Sequence, residues 1–539
     1  MRAPFSRTFF DLLAEQSVRY GDAVAVISRG QSCSYSDLLR RAGIVASALH
    51  NNGIGHGDRV GVLLSNRPEW LEVCFGASAV GASLVPFSTW STRQELEFLL
   101  ADSGVKLLVA LARFGGRDFV ADLAGLASEI AEGRRARAYP GLEKIVLVDA
   151  VSGDPFRSYD AFLADAGEWQ GLPPGLAAGA GDDGLILYTS GSSATPKAVR
   201  LRHHGIIENG FNIGERMGLS PVDRVLLSPP LFWSYGSANA LPAVLTHGAT
   251  LVLQEKFDAG EALDLIERYS CTAIYTLPVM TAALLAHPAF NVSRVRTLRT
   301  GLTIGSPREF LDAAEKLGVS ELCNVYGATE TYGNCCVAWH HWPIARRAAC
   351  QGEPLPGVEM RFVDAETGQP VAPGEAGLVE VRGYVSPGYT GASTEQNAAV
   401  FTADGFYRTG DIGRLDESGA FVFIGRSTEM IKRAGINVSP AEVENILLTH
   451  PAVREVGVVG ASDRERGEII VAFVVVRDSA VTAEDLIAHC KAISSRYKVP
   501  DRIEIRPSLP VTPTGKLHRR GLKQDAAELV SSKRLVSHG

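Results

Sequence analysis

The sequence predicts an α/β fold built from more than one domain. At 539 residues, the chain is too long for a single compact core. Short apolar runs alternate with helical segments along its first part, which is the pattern of a largely parallel sheet flanked by helices. From residue 351 onward the pattern changes to short β segments separated by turns, and a further α/β stretch follows Gly425. These observations indicate a large α/β region followed by a small, separate one.

The N-terminal region shows the alternation most clearly. Two helices are predicted within residues 10–50, with a strand at 23–27 between them. The elements predicted next are strand 59–64, helix 69–81, strand 83–86, helix 95–102 and strand 106–110. The Gly-, Pro- and Ala-rich stretch 171–183 is expected to be an exposed loop. Its G-x-G-x-x-G pattern precedes a strand instead of following one, so we do not expect it to bind a dinucleotide.

The second half of the chain is expected to contain more β structure. The elements predicted there are strands at 359–364, 377–382, 420–424, 455–459 and 469–476, and a helix near 483–496. A boundary near residue 425 leaves about 110 residues, which is enough for an independent small domain. We therefore predict an N-terminal domain over residues 1–424 and a C-terminal domain over residues 425–539.

Composition limits the classes of function. Hydrophobic residues make up 46% and charged residues 21% of the chain, an ordinary globular balance. The net charge of -7 gives no electrostatic support for nucleic-acid binding. There is no run of about 18 apolar residues and no signal-peptide pattern, so we expect no stable membrane insertion and a cytoplasmic location. The eight cysteines lack metal spacing, and we expect them to be reduced and buried.

The segment from Tyr188 to Lys197 is the first that suggests chemistry. It follows an apolar run that is predicted to be a strand, and Lys197 adds a positive charge to its end. Its hydroxyl-bearing and flexible residues include Thr189, Ser190, Gly191, Ser192 and Ser193. Such a loop can surround a polyphosphate with O–H and N–H donors. It is neither a Walker loop nor a nucleophile elbow, and a Ser/Thr-rich surface turn is the alternative interpretation.

This segment resembles the phosphate loop of the adenylate-forming superfamily, which includes acyl-CoA synthetases, adenylation domains of non-ribosomal peptide synthetases and luciferases. Further segments resemble other motifs of that superfamily, in its order, namely 324–330, 405–411, 425–435 and 510–520. The chain is identified as a member of the acyl-CoA synthetase branch. The resemblance implies a large N-terminal domain of two α/β sheets plus a β-barrel, and a small mobile α+β C-terminal domain.

The resemblance also implies a site for ATP and magnesium. Tyr326 would stack on adenine, Thr329 would contact the phosphates, and Glu330 would bind Mg²⁺ as a hard oxygen ligand. Asp411 would accept hydrogen bonds from the ribose hydroxyls, and Arg426 would reach ribose or phosphate. The other nucleotide-binding residues that it implies, besides the phosphate loop, are Thr303, Asn324 and Gly327. A turn-associated Thr-Glu pair is the alternative interpretation of Thr329 and Glu330.

A catalytic lysine and a path for coenzyme A are implied in the C-terminal part. Lys516 would place a point charge on the carboxylate–phosphate transition state, beside the other predicted catalytic residues, Thr329 and Glu330. Lys432 and Gly435 would line the path of the CoA thiol. In the implied reaction, the acid attacks the α-phosphate of ATP, pyrophosphate leaves, and the CoA sulfur then displaces AMP. Without the resemblance, a Gly-Lys pair in such a loop indicates only a solvated lysine.

The acyl site is predicted mainly from the segment 230–236, which resembles the family segment at the mouth of the pocket. Trp233 stands where many members have His, and a core tryptophan is the alternative interpretation. The residues predicted to line the pocket are Trp233, Tyr235, Gly236, Gly301 and Leu302. All are uncharged, so we expect a hydrophobic or aromatic carboxylic acid, because the ammonium group of an amino acid would need a carboxylate partner.

The sequence departs from the family motifs at several working positions. Ala194, Ala198 and Leu302 replace glycines, and Thr428 stands where Asp or Lys is usual. These changes leave open a ligase with a weak or lost adenylation step that uses a preformed acyl-adenylate. A separate carrier protein as acceptor, a luciferase-like oxidation and a non-catalytic binding module are further alternatives, and the sequence leaves a homodimer open.

Overall fold

The computed structural model of the chain describes residues 7–167, 178–189, 196–433, 436–463, 466–478, 480–512 and 517–536. Its helices are α1 (Phe9–Tyr20), α2 (Tyr35–Asn51), α3 (Pro68–Ala79), α4 (Arg93–Ser103), α5 (Phe119–Leu126), α6 (Ser128–Ala131), α7 (Tyr159–Leu163), α8 (His203–Met217), α9 (Leu241–Thr246), α10 (Ala259–Tyr269), α11 (Pro278–Ala286), α12 (Val292–Val295), α13 (Pro307–Leu311), α14 (Ile344–Ala349), α15 (Thr394–Ala398), α16 (Pro440–Leu448), α17 (Ala483–Ile493) and α18 (Arg519–Val536).

The strands of the described residues are β1 (Val24–Ser28), β2 (Gln31–Ser34), β3 (Arg59–Leu63), β4 (Ser83–Pro86), β5 (Leu107–Leu111), β6 (Arg113–Phe114), β7 (Arg117–Asp118), β8 (Lys144–Val148), β9 (Arg157–Ser158), β10 (Asp183–Thr189), β11 (Lys197–Arg202), β12 (Arg224–Leu227), β13 (Thr250–Leu253), β14 (Ala273–Tyr275), β15 (Thr300–Thr303), β16 (Glu321–Tyr326), β17 (Cys336–Val337), β18 (Glu353–Pro354), β19 (Glu359–Val363), β20 (Gly377–Arg382), β21 (Tyr389–Thr390), β22 (Tyr407–Leu415), β23 (Phe421–Arg426), β24 (Ile431–Arg433), β25 (Ile436–Val438), β26 (Val453–Asp463), β27 (Gly467–Val476) and β28 (Arg502–Ile505).

Two large sheets confirm the predicted α/β fold class. The first has the order β18-β17-β16-β15-β14-β12-β13-β1-β2, and its strands are parallel from β16 to β1. The second has the order β21-β11-β10-β4-β3-β5-β8-β9 and is parallel from β10 to β9. Helices cover these sheets, so their central strands read as continuous apolar runs, as in β5. This burial explains why the strands of this region could be predicted well.

A hairpin brings the ends of the phosphate-loop segment together. Strands β10 and β11 pair in antiparallel fashion, and Thr189 lies opposite Lys197 at their open end. Residues 190–195, which connect these two strands, lie outside the described residues. The register therefore fixes where the predicted phosphate loop begins and ends.

The β-rich part of the chain forms two smaller sheets. Strands β19, β20, β22 and β23 make a four-stranded antiparallel sheet where the resemblance implied a barrel. Strands β24 to β28 make a second sheet with helices α16, α17 and α18 around it. Strands β26 and β27 extend beyond the predicted runs, because their polar ends continue the same ladder down to the pair Asp463–Gly467.

A hydrogen bond between side chain and backbone joins the large region to the C-terminal one. Arg308 Nη1, in α13, donates to the carbonyl oxygen of Leu448, at the end of α16, at 2.5 Å. Near the chain connection, Ser439 Oγ donates to the carbonyl oxygen of Ile424 at 2.5 Å. Helix α16 is thus tied to the large region at both of its ends.

The cysteines are all unpaired thiols. Seven are buried, and Cys33 is half-buried. Desolvation raises the pKa of Cys33 to about 11, although the nearby Arg41 opposes the shift. No helix within the described part of the chain is both long and apolar enough to cross a membrane.

Candidate active site

The candidate site lies beyond the carboxyl ends of the parallel strands, where ligands bind in open α/β sheets. Strand β16 ends at Tyr326, and a short 3₁₀ turn over Thr329–Thr331 follows. Tyr332 then adopts a left-handed conformation with φ of 57°, which is unusual for a bulky residue. Its hydroxyl accepts a hydrogen bond from the Arg202 backbone N–H at 3.1 Å. This contact to β11 ties the turn to the hairpin that flanks the predicted phosphate loop.

Glu330 and Lys197 both contact Tyr389, Glu330 at its hydroxyl group and Lys197 at its ring. The Tyr389 hydroxyl donates to Glu330 Oε1 at 2.8 Å, and Lys197 Nζ lies 5.0 Å from the centre of the Tyr389 ring. Burial and the nearby Glu330 charge raise the pKa of Tyr389 well above its ordinary value, so the phenol keeps its proton. Glu330 is only 8% exposed. Tyr389 was not predicted from the sequence, because a tyrosine after Pro-Gly carries no spacing signal of its own.

The side-chain oxygens of Thr329 and Glu330 fit a magnesium ion that also binds a phosphate ligand. The hydroxyl of Thr329 and the carboxylate of Glu330 are hard donors, and Mg²⁺ typically takes one or two carboxylates plus substrate phosphates. In the described ranges, no group of three or more His, Cys, Asp or Glu residues could hold a metal ion by itself. The protein alone therefore offers an incomplete magnesium site, which phosphate oxygens and water would complete.

Asp411 sits in a buried polar contact with Tyr326. The Tyr326 hydroxyl donates to Asp411 Oδ2 at 2.7 Å, and the ring of Tyr326 packs 4.4 Å from that of Phe421. Arg426 Nε lies 3.3 Å from Asp411 Oδ1, an oxygen that accepts no hydrogen bond within the described residues. Desolvation raises the pKa of Asp411, while Arg426 and the hydrogen bond from Tyr326 act against the shift. An oxygen that has an ion-pair partner but accepts no hydrogen bond suits a hydroxyl-bearing ligand.

The segment that was predicted to line the acyl site directly contacts the turn that holds the predicted catalytic residues Thr329 and Glu330. Ser234 Oγ lies 3.0 Å from Thr329 Oγ1. Tyr235 begins a π-helical turn that runs to Ala240, a deformation that is frequent at functional sites. The Tyr235 hydroxyl donates to the carbonyl oxygen of Leu302 at 2.8 Å, so this ring is fixed against β15.

Trp233 belongs to an aromatic cluster that joins the two large sheets. Its ring meets Trp90 edge-to-face at 5.0 Å, and Trp90 also meets Phe232 at 5.4 Å. Trp90 follows β4 of the eight-stranded sheet, whereas Phe232 and Trp233 follow β12 of the nine-stranded one. Trp90 keeps 45% of its surface exposed. Trp90 was not predicted from the sequence, because its proximity to Trp233 depends on how the two sheets pack.

A buried asparagine positions this aromatic segment. The amide nitrogen of Asn66, just beyond β3, lies 3.0 Å from the carbonyl oxygen of Pro229, and Asn66 Oδ1 accepts from the Leu231 backbone N–H at 2.7 Å. The same nitrogen lies 3.5 Å from the carbonyl oxygen of Ser228. One side chain from the eight-stranded sheet thus fixes the backbone that leads into Phe232 and Trp233.

Several predicted site residues lie in packed surroundings. Leu302 is fully buried, Thr303 is 1% exposed, and the Asn324 side-chain nitrogen donates to the carbonyl oxygen of Arg347 at 3.2 Å. The predicted glycines allow close backbone approach, since an added Cβ would lie 2.1 Å from Ile274 O at Gly301, 2.4 Å from Pro230 O at Gly236 and 2.4 Å from Asn334 Cα at Gly327. Packing alone therefore explains why these positions hold a buried leucine, threonine and asparagine and three glycines.

The C-terminal region places an arginine at the base of the predicted catalytic loop. Arg519 makes two hydrogen bonds to Glu444, at 2.7 and 2.9 Å, and a third to the carbonyl oxygen of Val458 at 2.8 Å. Val511 and Leu517 form a β-bridge on either side of residues 513–516. The backbone N–H of Lys432 donates to Glu468 at 2.7 Å. The predicted residues Ser190, Gly191, Ser192, Ser193, Gly435 and Lys516 lie outside the described residues, as does Ala194.

Two departures from the family motifs are accommodated without conflict. Ala198 is 2% exposed in β11, where it pairs with Tyr188 of β10. Thr428 is exposed in the turn after β23. Neither side chain enters the contacts between Glu330, Tyr389 and Lys197.

Comparisons with known proteins identify the family. Residues 13–390 match the family described as AMP-binding enzyme, and residues 442–516 match the AMP-binding enzyme C-terminal domain. The chain is 32% identical to feruloyl-CoA synthase of Amycolatopsis sp, over 92% of this chain and 94% of that protein. It is 30% identical to medium-chain acyl-CoA ligase ACSF2, mitochondrial, of Mus musculus, over 93% of this chain and 84% of that protein.

Solved structures agree with this assignment. The anthranilate CoA ligase AuaEII in complex with anthranoyl-AMP superposes with a TM-score of 0.83 at 26% identity, covering 99% of this chain and 100% of that one. ATP-bound MatB from Rhodopseudomonas palustris gives a TM-score of 0.80 at 25% identity, covering 96% and 98%. The chain therefore belongs to the AMP-binding enzyme family and is an AMP-forming acyl-CoA ligase, as its motifs predicted.

Proposed function

We propose that this ligase joins a hydrophobic or aromatic carboxylic acid to coenzyme A by way of an acyl-adenylate. The observation that carries the proposal is the contact between Ser234 and Thr329, at 3.0 Å. It sets the aromatic cluster of Trp90, Phe232 and Trp233 directly beside the turn that we assign to phosphate binding. An acid whose carboxylate reaches this turn would lay its acyl part against indole and phenyl rings, which suits apolar or aromatic acyl groups. The names feruloyl-CoA synthase and anthranilate CoA ligase support an aromatic acid.

In the first half-reaction, a carboxylate oxygen bonds to the α-phosphorus of ATP and the bond to pyrophosphate breaks. Lys197 and Thr329 would hold the phosphates, while Asp411 and Arg426 would hold the ribose. Glu330, with its orientation fixed by Tyr389, would hold Mg²⁺, which neutralises phosphate charge when bound. Lys516 would stabilise charge that develops between carboxylate and phosphate. No side chain needs to act as nucleophile.

In the second half-reaction, the CoA sulfur bonds to the acyl carbon, AMP leaves, and the thiol proton passes to solvent. We propose that residues 425–539 reorient between the two steps, withdrawing Lys516 and bringing Lys432 and Gly435 toward the thiol. The hydrogen bonds between Arg519 and Glu444 support this reorientation, because they would carry the loop of Lys516 along with the small sheet.

A separate carrier protein is a second possible acceptor. We propose the cytoplasm as the compartment, since eight unpaired cysteines suit a reducing environment.

Replacement of Lys516 tests the proposal. We expect Lys516→Ala to slow pyrophosphate release from ATP by about 100- to 1000-fold with medium-chain and aromatic acids. Thioester formation from a synthetic acyl-adenylate and CoA should stay within a few-fold of the parent rate. Lys491→Ala, which removes an exposed lysine of α17, is the matched control and should change neither rate.

Two other results would decide against this proposal. Unchanged pyrophosphate release in Lys516→Ala would exclude the assigned role of the lysine. A parent enzyme that is silent with every acid, but converts the acyl-adenylate, would establish the alternative with a lost adenylation step.

A further inference from the structure

One aromatic ring stands between two opposite charges of the proposed phosphate site. Lys197 Nζ lies over the ring of Tyr389, 5.0 Å from its centre, while the Tyr389 hydroxyl donates to Glu330 Oε1 at 2.8 Å. Among the residues that the structure describes, neither Lys197 nor Glu330 forms an ion pair. Lys197 is half-buried and Glu330 is buried, so little water screens the attraction between their charges. The ring occupies the space through which a direct ion pair would form.

The backbone and the ring of Tyr389 are held in place on several sides. Tyr389 lies opposite Val199 where strand β21 pairs with β11, and its backbone N–H donates to Asn397 Oδ1 at 3.0 Å. The ring of Phe401 packs against that of Tyr389, with 5.6 Å between the two centres. The Tyr389 ring is therefore a fixed wall that does not follow the movement of a lysine or a ligand.

The segment that carries Tyr389 is also bound to both parts of the phosphate site. The backbone N–H of Ser386 donates to the carbonyl oxygen of Glu330 at 2.7 Å. The backbone N–H of Arg200, in β11, donates to the carbonyl oxygen of Gly388 at 3.3 Å. One connecting segment thus joins the hairpin that flanks the predicted phosphate loop to the turn that follows β16. Backbone and ring together set the spacing of the two charges.

A complex of magnesium and a triphosphate needs these two charges separately. An ammonium group binds phosphate oxygens, and a carboxylate supplies a hard oxygen ligand to Mg²⁺. A direct pair of Lys197 with Glu330 would neutralise both, and ATP would have to break that pair before it could bind. The face of the Tyr389 ring attracts a cation only weakly, and the Tyr389 hydroxyl uses only one of the two oxygens of Glu330. Tyr389 thus holds both groups without consuming either.

We infer that Tyr389 is a positioning residue that prevents Lys197 from pairing with Glu330 and keeps both charges available to ATP and Mg²⁺. This inference rests on the proposed function and goes beyond it, because it assigns one task to the ring and another to the hydroxyl group. The ring keeps the ammonium at a distance, and the hydroxyl orients the carboxylate. The two tasks can be separated, since Tyr389→Phe retains the ring and Tyr389→Leu removes both.

Binding of α,β-methylene-ATP, which cannot release pyrophosphate, tests the inference by calorimetry in Mg²⁺ and in EDTA. We expect Tyr389→Phe to bind within about twofold of the parent in EDTA, but to lose about threefold or more of the affinity that Mg²⁺ adds. Tyr389→Leu should bind about tenfold more weakly in EDTA, because Lys197 then pairs with Glu330. Tyr384→Phe is the matched control, since the Tyr384 hydroxyl donates to Glu208 at 2.7 Å, and it should retain both affinities.

A second substitution separates this role from a mere loss of local structure. Glu330→Gln, added to Tyr389→Leu, removes the charge that would capture Lys197. The double variant should therefore return to within about threefold of the parent affinity in EDTA, a coupling that only interacting residues show. A defect of packing around the missing ring would persist in the double variant.

The outcomes separate the inference from the function on which it rests. Normal binding by Tyr389→Leu in EDTA, or weak binding that Glu330→Gln does not restore, would overturn the inference and leave the ligase reaction standing. If Tyr389→Leu does not fold, which a thermal melt would show, Tyr389→Met replaces it with the same expectations. A parent enzyme that binds the analogue in neither condition would overturn the proposed nucleotide site, and the inference with it. If the parent binds the analogue but releases no pyrophosphate with any acid, the adenylation step fails, and the binding results alone decide the role of Tyr389.

Discussion

Asp411 is a residue whose proposed role in ligand binding would come at the expense of stability. Its carboxyl group is buried and lacks a second hydrogen-bond donor at Oδ1 among the described residues, and burial raises its pKa. Because the folded-state pKa lies above the unfolded value, the native state binds this proton more tightly than the unfolded chain does. The ionised carboxylate therefore lowers stability above that pKa, and the penalty disappears as the pH falls below the ordinary aspartate range.

We predict that Asp411→Asn is at least as stable as the parent at neutral pH but binds ATP about 10- to 100-fold more weakly. The loss of affinity follows from removing a charged acceptor for the ribose. The advantage in melting temperature should shrink as the pH is lowered through the titration of Asp411, because the parent then becomes neutral too. Calorimetric melts between pH 4 and 8, with ATP titrations, check both parts. A variant that is less stable at neutral pH, or that binds ATP normally, would contradict this role of Asp411.

At the residue scale, the sequence motifs single out charged candidate residues, whereas they do not single out the neutral residues in contact with them. Asp411, Glu330 and Lys197 stand at fixed positions within recognisable motifs, and each type of charge suits one part of a nucleotide. Tyr389 and Trp90 carry no such signal, since each reaches the site from a distant part of the chain.

At the scale of elements, Asn66 joins strands of different sheets through one amide. It follows β3 and reaches the backbone of 228–231 beyond β12. We predict that Asn66→Asp lowers the free energy of unfolding by about 1–3 kcal/mol, because a carboxylate oxygen would then face backbone carbonyls. The turnover number for adenylation should fall while the KM for ATP stays nearly constant. The substitution displaces Phe232 and Trp233 of the proposed acyl site and leaves the proposed nucleotide-binding residues in place.

Denaturant unfolding and initial rates of pyrophosphate release measure these two effects. Asn51 in α2 also donates from its amide to a backbone carbonyl, that of Asp165, but it does so at an exposed position. Asn51→Asp therefore makes the same chemical change where water can solvate the new carboxylate, and it should leave both quantities near the parent values. If Asn66→Asp matched that control, the asparagine would have no positioning role.

Elements buried on both faces were the most predictable part of the fold. Strands such as β3, β4 and β5 read as apolar runs bounded by polar residues, and the structure confirms them within a residue or two. The ends of β26 and β27 were harder to predict. The residues there are polar, and they belong to the strands only because each continues the hydrogen-bonded pairing with the other strand. Sheet order was not predictable from the chain, since strands that are adjacent in space are often remote in sequence.

At the scale of the whole molecule, the contact between Arg308 and Leu448 connects regions that we expect to move apart. We predict that Arg308→Ala weakens this arrangement by about 1 kcal/mol, a roughly fivefold shift in population. The two half-reactions should respond differently, with the ratio of thioester formation to pyrophosphate release changing several-fold while the melting temperature changes little. Cleavage by protease near residues 426–433 should become faster.

Separate assays of the two half-reactions, together with limited proteolysis, check this prediction. Arg296→Ala removes an exposed arginine of the same region and serves as the control. Equal behaviour of the two variants would show that the Arg308 contact does not restrain the C-terminal region.

The burial of the native cysteines makes this motion directly observable. Seven of the eight thiols are buried, and the raised pKa of Cys33, about 11, leaves few thiolates at neutral pH. Two cysteines introduced on the surface, one in each region, should therefore take up fluorescent dyes selectively without removal of the natural ones. A donor and acceptor pair placed in this way would report domain rotation during turnover in an otherwise unaltered enzyme.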